Sequence, residues 1–262
     1  MKRLIVTADD VGLHRGMTEG AIRAHREGIV TACSVVACGR AFGHAVARLC
    51  EVPSLEVGVH LTLVEERALT TGELMPKNYL RFVFARHNNI HIELRAQIER
   101  VLETGLRVTH LNSHQHLHVL PRLFQLVQHL SAEYRIPYVR TVVDHGGRAG
   151  PMRRAAIASL NFFGRRAAGS NDRTIGVLEA GHLKSIEPLL NHVEDVTELV
   201  THPGVGVDEY AHWRYEWDAE TQALCDPGLK EAMARRGIQL MTPSACGERP
   251  SRPQSPGVAP GD

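Results

Sequence analysis

Short apolar runs alternate with segments of helical period along most of this chain. Residues 3–8 (RLIVTA) form an apolar run that stops at two aspartates, and they predict a short buried strand. Residues 16–28 have helical spacing and stop at Gly28. Residues 31–38 (TACSVVAC) are small and β-branched and predict a second strand, followed by a helix over 41–50. Residues 55–63 (LEVGVHLTL) predict a third strand. Residues 93–104 are strongly helical up to Gly105. A strand over 107–113 (RVTHLNS), a helix over 121–134 opened by Pro121, and a strand over 137–143 (PYVRTVV) come next. Helical spacing returns at 152–164. Strands are predicted at 196–201 and 237–241, separated by a helix near 217–236.

Strand–helix alternation repeated about seven or eight times implies an α/β fold with a parallel sheet covered by helices. A single-domain (β/α) barrel, irregular and of about seven strands, is favoured over an open sheet because polar residues mark the carboxyl ends of several strands. Asp9 and Asp10 follow the first strand, His60 ends the third, His114 follows the fourth and His202 follows a late one. Chemistry sits at that rim in barrels and open sheets alike, so the pattern locates the site more firmly than it decides closure. Residues 64–92 show no clear element and are expected to cover the site. The barrel domain is expected over 1–246, with 247–262, rich in Pro, Gly and Ser, as a disordered tail.

Composition narrows the class. A formal net charge of +1 provides no global field to attract nucleic acid or an anionic membrane. No stretch approaches the roughly 18 apolar residues of a membrane span. The N-terminal apolar run is too short for a signal-peptide core. The five cysteines, Cys33, Cys38, Cys50, Cys225 and Cys246, are irregularly spaced. They fit neither a zinc motif nor a disulfide framework, so a cytoplasmic protein is expected.

Histidine, with 16 copies, is the outlier, and position matters more than number. The adjacent carboxylates of Asp9 and Asp10 repel each other. A helix cap explains one of them, and a divalent cation would relieve both. Strand alternation puts Gly58, His60 and Thr62 on one face. In HLNSHQHLHVLP, the residues His110, Asn112, His114, His116 and His118 are spaced by two and would share a face in extended chain. Residues two apart in a strand are separated by roughly 6–7 Å, so one direct metal ligand is expected from the cluster, with the others near substrate or supporting. Together these groups make a mixed oxygen–nitrogen site suited to zinc, manganese or a similar divalent ion better than calcium. His202, in VTHPG at the same rim, is a candidate general acid.

The motifs VTADDVGL, VGVHLTL, HLNSHQHLH and THPG occur in an order that resembles the YdjC-like carbohydrate deacetylases, a family with chitooligosaccharide (ChbG) and hopanoid-associated (HpnK) members. The resemblance runs from residue 3 to about residue 242. It implies hydrolysis of an N-acetyl group from an amino sugar and one divalent metal ion, zinc or magnesium, on Asp10, His60 and His114. It also implies Asp9 as general base, His202 as acid, and frequent dimers. Asn112 stands where chitooligosaccharide-type members have Asp, and Val11 where the family often has Phe. Further substrate contacts are expected from His116, His118, Arg140 and Trp213; Arg140 fits a structural ion pair equally well, and Trp213 with Tyr215 and Trp217 could form a short sugar-stacking platform. Two rivals are another divalent-metal hydrolase on a similar barrel, a phosphoesterase or amidohydrolase, and a catalytically silent sugar- or metal-binding module.

Overall fold

The computed structural model describes residues 1–84, 89–142 and 170–248. Its strands are β1 (Lys2–Val11), β2 (Ala32–Val35), β3 (Glu56–Leu61), β4 (Val108–Ser113), β5 (Tyr138–Val139), β6 (Arg173–Ile175), β7 (Val196–Thr201) and β8 (Ile238–Leu240). Among the described residues the α-helices are α1 (Arg15–Arg26), α2 (Phe42–Cys50), α3 (Tyr79–Phe84), α4 (Ile90–Leu102), α5 (Pro121–Glu133), α6 (Trp217–Leu224), α7 (Gly228–Arg235) and α8 (Pro243–Gly247), with 3-10 helices between some of them. All strand pairs are parallel, in the order β5-β4-β3-β2-β1-β7-β6. β7 takes one edge of β1 along Arg3–Ala8. β8 therefore shares the other edge with β2, pairing at Lys2–Leu4 while β2 begins at Thr7.

The sheet curls into a half-barrel. Among the described residues its two edges, β5 and β6, meet through side chains and not through a backbone ladder. Asn171 provides the bridge: its Oδ1 accepts from the Thr141 amide at 2.8 Å and its Nδ2 donates to the Thr141 carbonyl at 2.9 Å. Ser170 Oγ donates to the Val139 carbonyl at 2.6 Å. A strand of two residues leaves too few backbone groups to close a ladder, and a polar side chain satisfies what remains.

Alternation along β1 sorts the interior. Leu4, Val6 and Ala8 point to the outer face and join the main apolar core with Ile22, Leu49, Ile98 and Val127 from the covering helices. Thr7 points inward, where the concave face carries a network of buried polar groups. Thr7 and Tyr138 both donate to Glu198 at 2.6 Å, and Arg140 donates to it from two nitrogens. Burying so many polar groups is tolerable only because they satisfy one another.

The structure alters several expectations. β1 runs through Asp9 and Asp10 instead of ending before them. β6 was not foreseen. The single helix expected near 217–236 is two, broken at Asp226-Pro227, where the Pro ring removes an amide donor. Residues 64–92 contain an antiparallel bridge, Arg67 with Leu74, and α3. The helix expected at 152–164 and most of the expected tail lie outside the described residues.

Candidate active site

Two adjacent residues of a regular strand point to opposite faces, yet Asp9 and Asp10 line the same cavity. A bulge makes this possible. The register of β1 against β2 shifts between Ala8 and Val11, and Asp10 adopts a left-handed φ of 64°. The chain turns at Asp10, and both carboxylates reach the rim.

Asp10 gathers the histidines. Its Oδ1 lies 3.2 Å from His60 Nε2 and 2.9 Å from His114 Nδ1, and its Oδ2 lies 3.9 Å from His202 Nε2. Asp10, His60 and His114 each offer a ligand atom within 4.8 Å of the others, and all three are buried. Local hydrogen bonds fix their orientation. Asn112 sits directly across from His60 in the β3–β4 register, and its Oδ1 accepts from His60 Nδ1 at 2.7 Å. That bond places the ring proton on Nδ1 and leaves the Nε2 lone pair facing Asp10. Burial pushes the His114 imidazole toward neutrality, but Asp10 and Glu65 more than offset this and raise its pKa to about 10. One carboxylate and two imidazoles are a donor set that a divalent ion accepts.

Asp9 is clamped instead. Arg140 donates to Oδ2 at 2.5 Å and to Oδ1 at 2.9 Å, and Asn112 Nδ2 donates to Oδ1 at 2.9 Å. Burial alone would raise its pKa, but the Arg140 guanidinium, with His60 and His202, holds the carboxyl well below the usual carboxylate range. Asn112 thus explains itself. It donates to Asp9 and to Ser34 Oγ while accepting from His60, which an ionised aspartate could not do. Below it, His110 Nε2 bonds Ser34 Oγ at 3.0 Å. Gly58, facing His110, leaves no room there for a Cβ.

The histidine run is not extended. After His114 the chain winds through a tight turn, with Gln115 at φ 52° and His116 at φ 55°. His114, His116 and His118 therefore do not share a face, which corrects the extended reading. Only His114 joins the cluster. His116 lines the cavity, with a buried Nδ1 that has no partner. His118 turns inward, its ring nitrogens bonded to Ser113 Oγ at 2.7 Å and to the Arg140 carbonyl at 3.0 Å. Arg140 is fully buried and spends its guanidinium on Asp9 and Glu198. Trp213 stacks on His114 with ring centres 5.2 Å apart and does not itself line the cavity.

The cavity holds about 230 Å³. Asp9, Asp10 and His60 line it together with His114 and Gln115, and Val177, Ala180 and Tyr215 complete the wall. His202 lines it as well, 8% exposed; burial lowers its pKa, only partly countered by Asp10 and Asp9. Its Nδ1 is buried without a partner, and Tyr215 meets its ring edge-on at 5.2 Å. Sequence reasoning passed over Glu65 and Glu198. Glu65 had a signal: like Asp9-Asp10, the pair Glu65-Glu66 closely follows an apolar strand.

The model of the YdjC-like protein family matches residues 3–235. A carbohydrate deacetylase of Brevibacillus brevis is 32% identical over 260 residues, covering 94% of this chain and 100% of the relative. A chitooligosaccharide deacetylase of Salmonella dublin is 29% identical over 253 residues, covering 90% and 96%. Among solved structures, a protein of Enterococcus faecalis named for cellobiose-phosphate cleavage superposes with a TM-score of 0.70 at 23% identity, covering 92% of this chain and 97% of that one. That likeness speaks to the fold.

Proposed function

The chain belongs to the YdjC-like family, and from that premise and the geometry of its site we propose that it is a carbohydrate deacetylase, hydrolysing the N-acetyl group of an amino sugar. The observation that carries the reading is the convergence of Asp10, His60 and His114 on one wall of a cavity that also presents a clamped carboxylate, Asp9, and a second histidine, His202. Relatives named for deacetylation, matched over nearly the whole chain, support it.

Asp10, His60 and His114 would hold one divalent ion, zinc or magnesium. Bound there, such an ion supplies Lewis acidity toward a carbonyl oxygen and makes water more acidic. The protein's own groups do the rest. Asp9 remains ionised because of Arg140, and it accepts a proton from the attacking water. Arg140 and Asn112 fix the direction of that carboxylate, which costs no reorganisation during reaction. His202, on the wall of the same cavity, delivers a proton to the departing amine. Water adds to the carbonyl carbon as its proton passes to Asp9, the amide C–N bond breaks as His202 protonates the nitrogen, acetate and the free amino sugar leave, and passage of the Asp9 proton back to His202 restores both groups. His116, with its unpartnered Nδ1, is placed to meet a polar group of the substrate.

No described helix is long and apolar enough to cross a membrane. We further propose a cytoplasmic location, as expected from the sequence, and a homodimer, as the family resemblance implies. The test is acetate release from N-acetylglucosamine, its oligosaccharides and a hopanoid-linked N-acetylglucosamine, with and without chelator. Full activity in Asp10→Ala, or after complete removal of metal, would overturn the proposal.

A further inference from the structure

The segment after β3 brings an acidic pair to the rim of the site, and its backbone is unusual. Glu65 has a left-handed φ of 67°, a conformation that suits glycine and costs any other residue free energy. Hydrogen bonds on both sides hold it there: the Glu65 amide donates to the Pro76 carbonyl at 2.9 Å and the Met75 amide to the Glu66 carbonyl at 2.9 Å. The turn sends the two neighbouring carboxylates apart. Glu66 accepts from the Tyr210 hydroxyl at 3.0 Å, while Glu65 Oε2 lies 3.1 Å from His114 Nε2.

A neutral imidazole carries one N–H, and the partner of one nitrogen decides what the other can do. Were the proton on His114 Nδ1, it would bond to Asp10 Oδ1, 2.9 Å away, and close that nitrogen to a cation. An acceptor at Nε2 draws the proton to the far side of the ring. We propose that Glu65 is a positioning residue: its carboxylate accepts the His114 Nε2–H and so presents the Nδ1 lone pair to the cation shared with Asp10 and His60. Trp213, stacked on the ring, helps to fix its plane. The inference rests on the reading of Asp10, His60 and His114 as a cation site.

The test titrates Co²⁺ into the chelator-stripped full chain and follows its visible absorbance, alongside urea unfolding of the metal-free proteins. Glu65→Gly is expected to weaken Co²⁺ binding by roughly 10–100-fold. The same variant should unfold at an equal or higher urea concentration when metal-free, because glycine relieves the left-handed backbone. Glu65→Gln keeps an oxygen acceptor and is expected to stay much closer to the wild type. Wild-type Co²⁺ affinity in Glu65→Gly would overturn the proposal. So would Glu65→Gln binding as weakly as Glu65→Gly with an altered absorbance spectrum, which would make Glu65 a ligand itself. If His60→Ala binds Co²⁺ as the wild type does, the cation site falls, and with it the premise.

Discussion

Replacing Gly58 by alanine should damage the site from beneath. Gly58 is not in the left-handed region, so alanine in open space would stabilise the strand by about 0.4–1 kcal/mol through the unfolded chain. The space is not open. A Cβ on Gly58 would lie 2.3 Å from Cδ2 and Nε2 of His110 and 2.5 Å from its Cε1. Carbon contacts prefer about 3.5–4 Å, so the ring must move by more than about 1 Å. His110 is completely buried, and its nitrogens bond Ser34 Oγ at 3.0 Å and Thr109 Oγ1 at 3.1 Å. Overpacking costs about 1–3 kcal/mol, and a buried polar group left without its partner about 1–3 kcal/mol more. Less the gain from the unfolded chain, a net loss of roughly 1–5.5 kcal/mol is a large part of the roughly 5–15 kcal/mol that holds a typical domain together. Ser34 also accepts from Asn112, so the displacement passes to His60 and Asp9. Urea unfolding followed by the fluorescence of Trp213 and Trp217 measures the loss. Adding His110→Ala to Gly58→Ala removes the ring, so the double variant should be more stable than the sum of the single effects by about 1–3 kcal/mol. A neutral or stabilising Gly58→Ala, or strict additivity in the double variant, would refute the steric argument.

Arg140→Met should cost about 3–5 kcal/mol, because it leaves Asp9 and Glu198 buried without their shared cation; unfolding within 1 kcal/mol of wild type would contradict this. Chelation, or His60→Ala, should abolish acetate release, and added zinc or magnesium should restore the chelated wild type but not the variant, as metal analysis and an acetate assay would show. Acid should weaken the fold well before ordinary carboxylates titrate. Burial holds His110 at about 4 and His118 at about 3, the latter helped by Arg140. In the unfolded chain both protonate near 6.5. Their contribution is thus complete above pH 6.5 and is lost as pH falls toward 4 and then 3, by up to about 1.4 kcal/mol per pH unit for each histidine. Denaturation midpoints measured from pH 7 to 4.5 should show that slope, and His110→Phe should flatten it; a slope unchanged in that variant would count against the assignment.

The residues of the site could be read from the chain, but the way they meet could not. Strand alternation and apolar runs determined the α/β layering, because burial on a parallel sheet demands them locally. The rim positions of Asp9, Asp10, His60, His114 and His202 followed from where each run turned polar. The bulge at Asp10 is invisible in sequence, since its left-handed backbone is set by pairing with β2. The tight turn after His114 likewise defeated the period-two reading of the histidines. Arg140 could be read equally as a substrate contact or as half of a structural ion pair until the curl of the sheet brought it, across 131 positions, to Asp9. Glu65 reaches His114 only because β3 and β4 lie side by side. Local pattern specifies which face a side chain takes, because that depends on its nearest neighbours in the chain. Which buried charges neutralise one another depends on distances that only the folded sheet creates, and that pairing assigns Asp9, Asp10 and Arg140 their separate tasks.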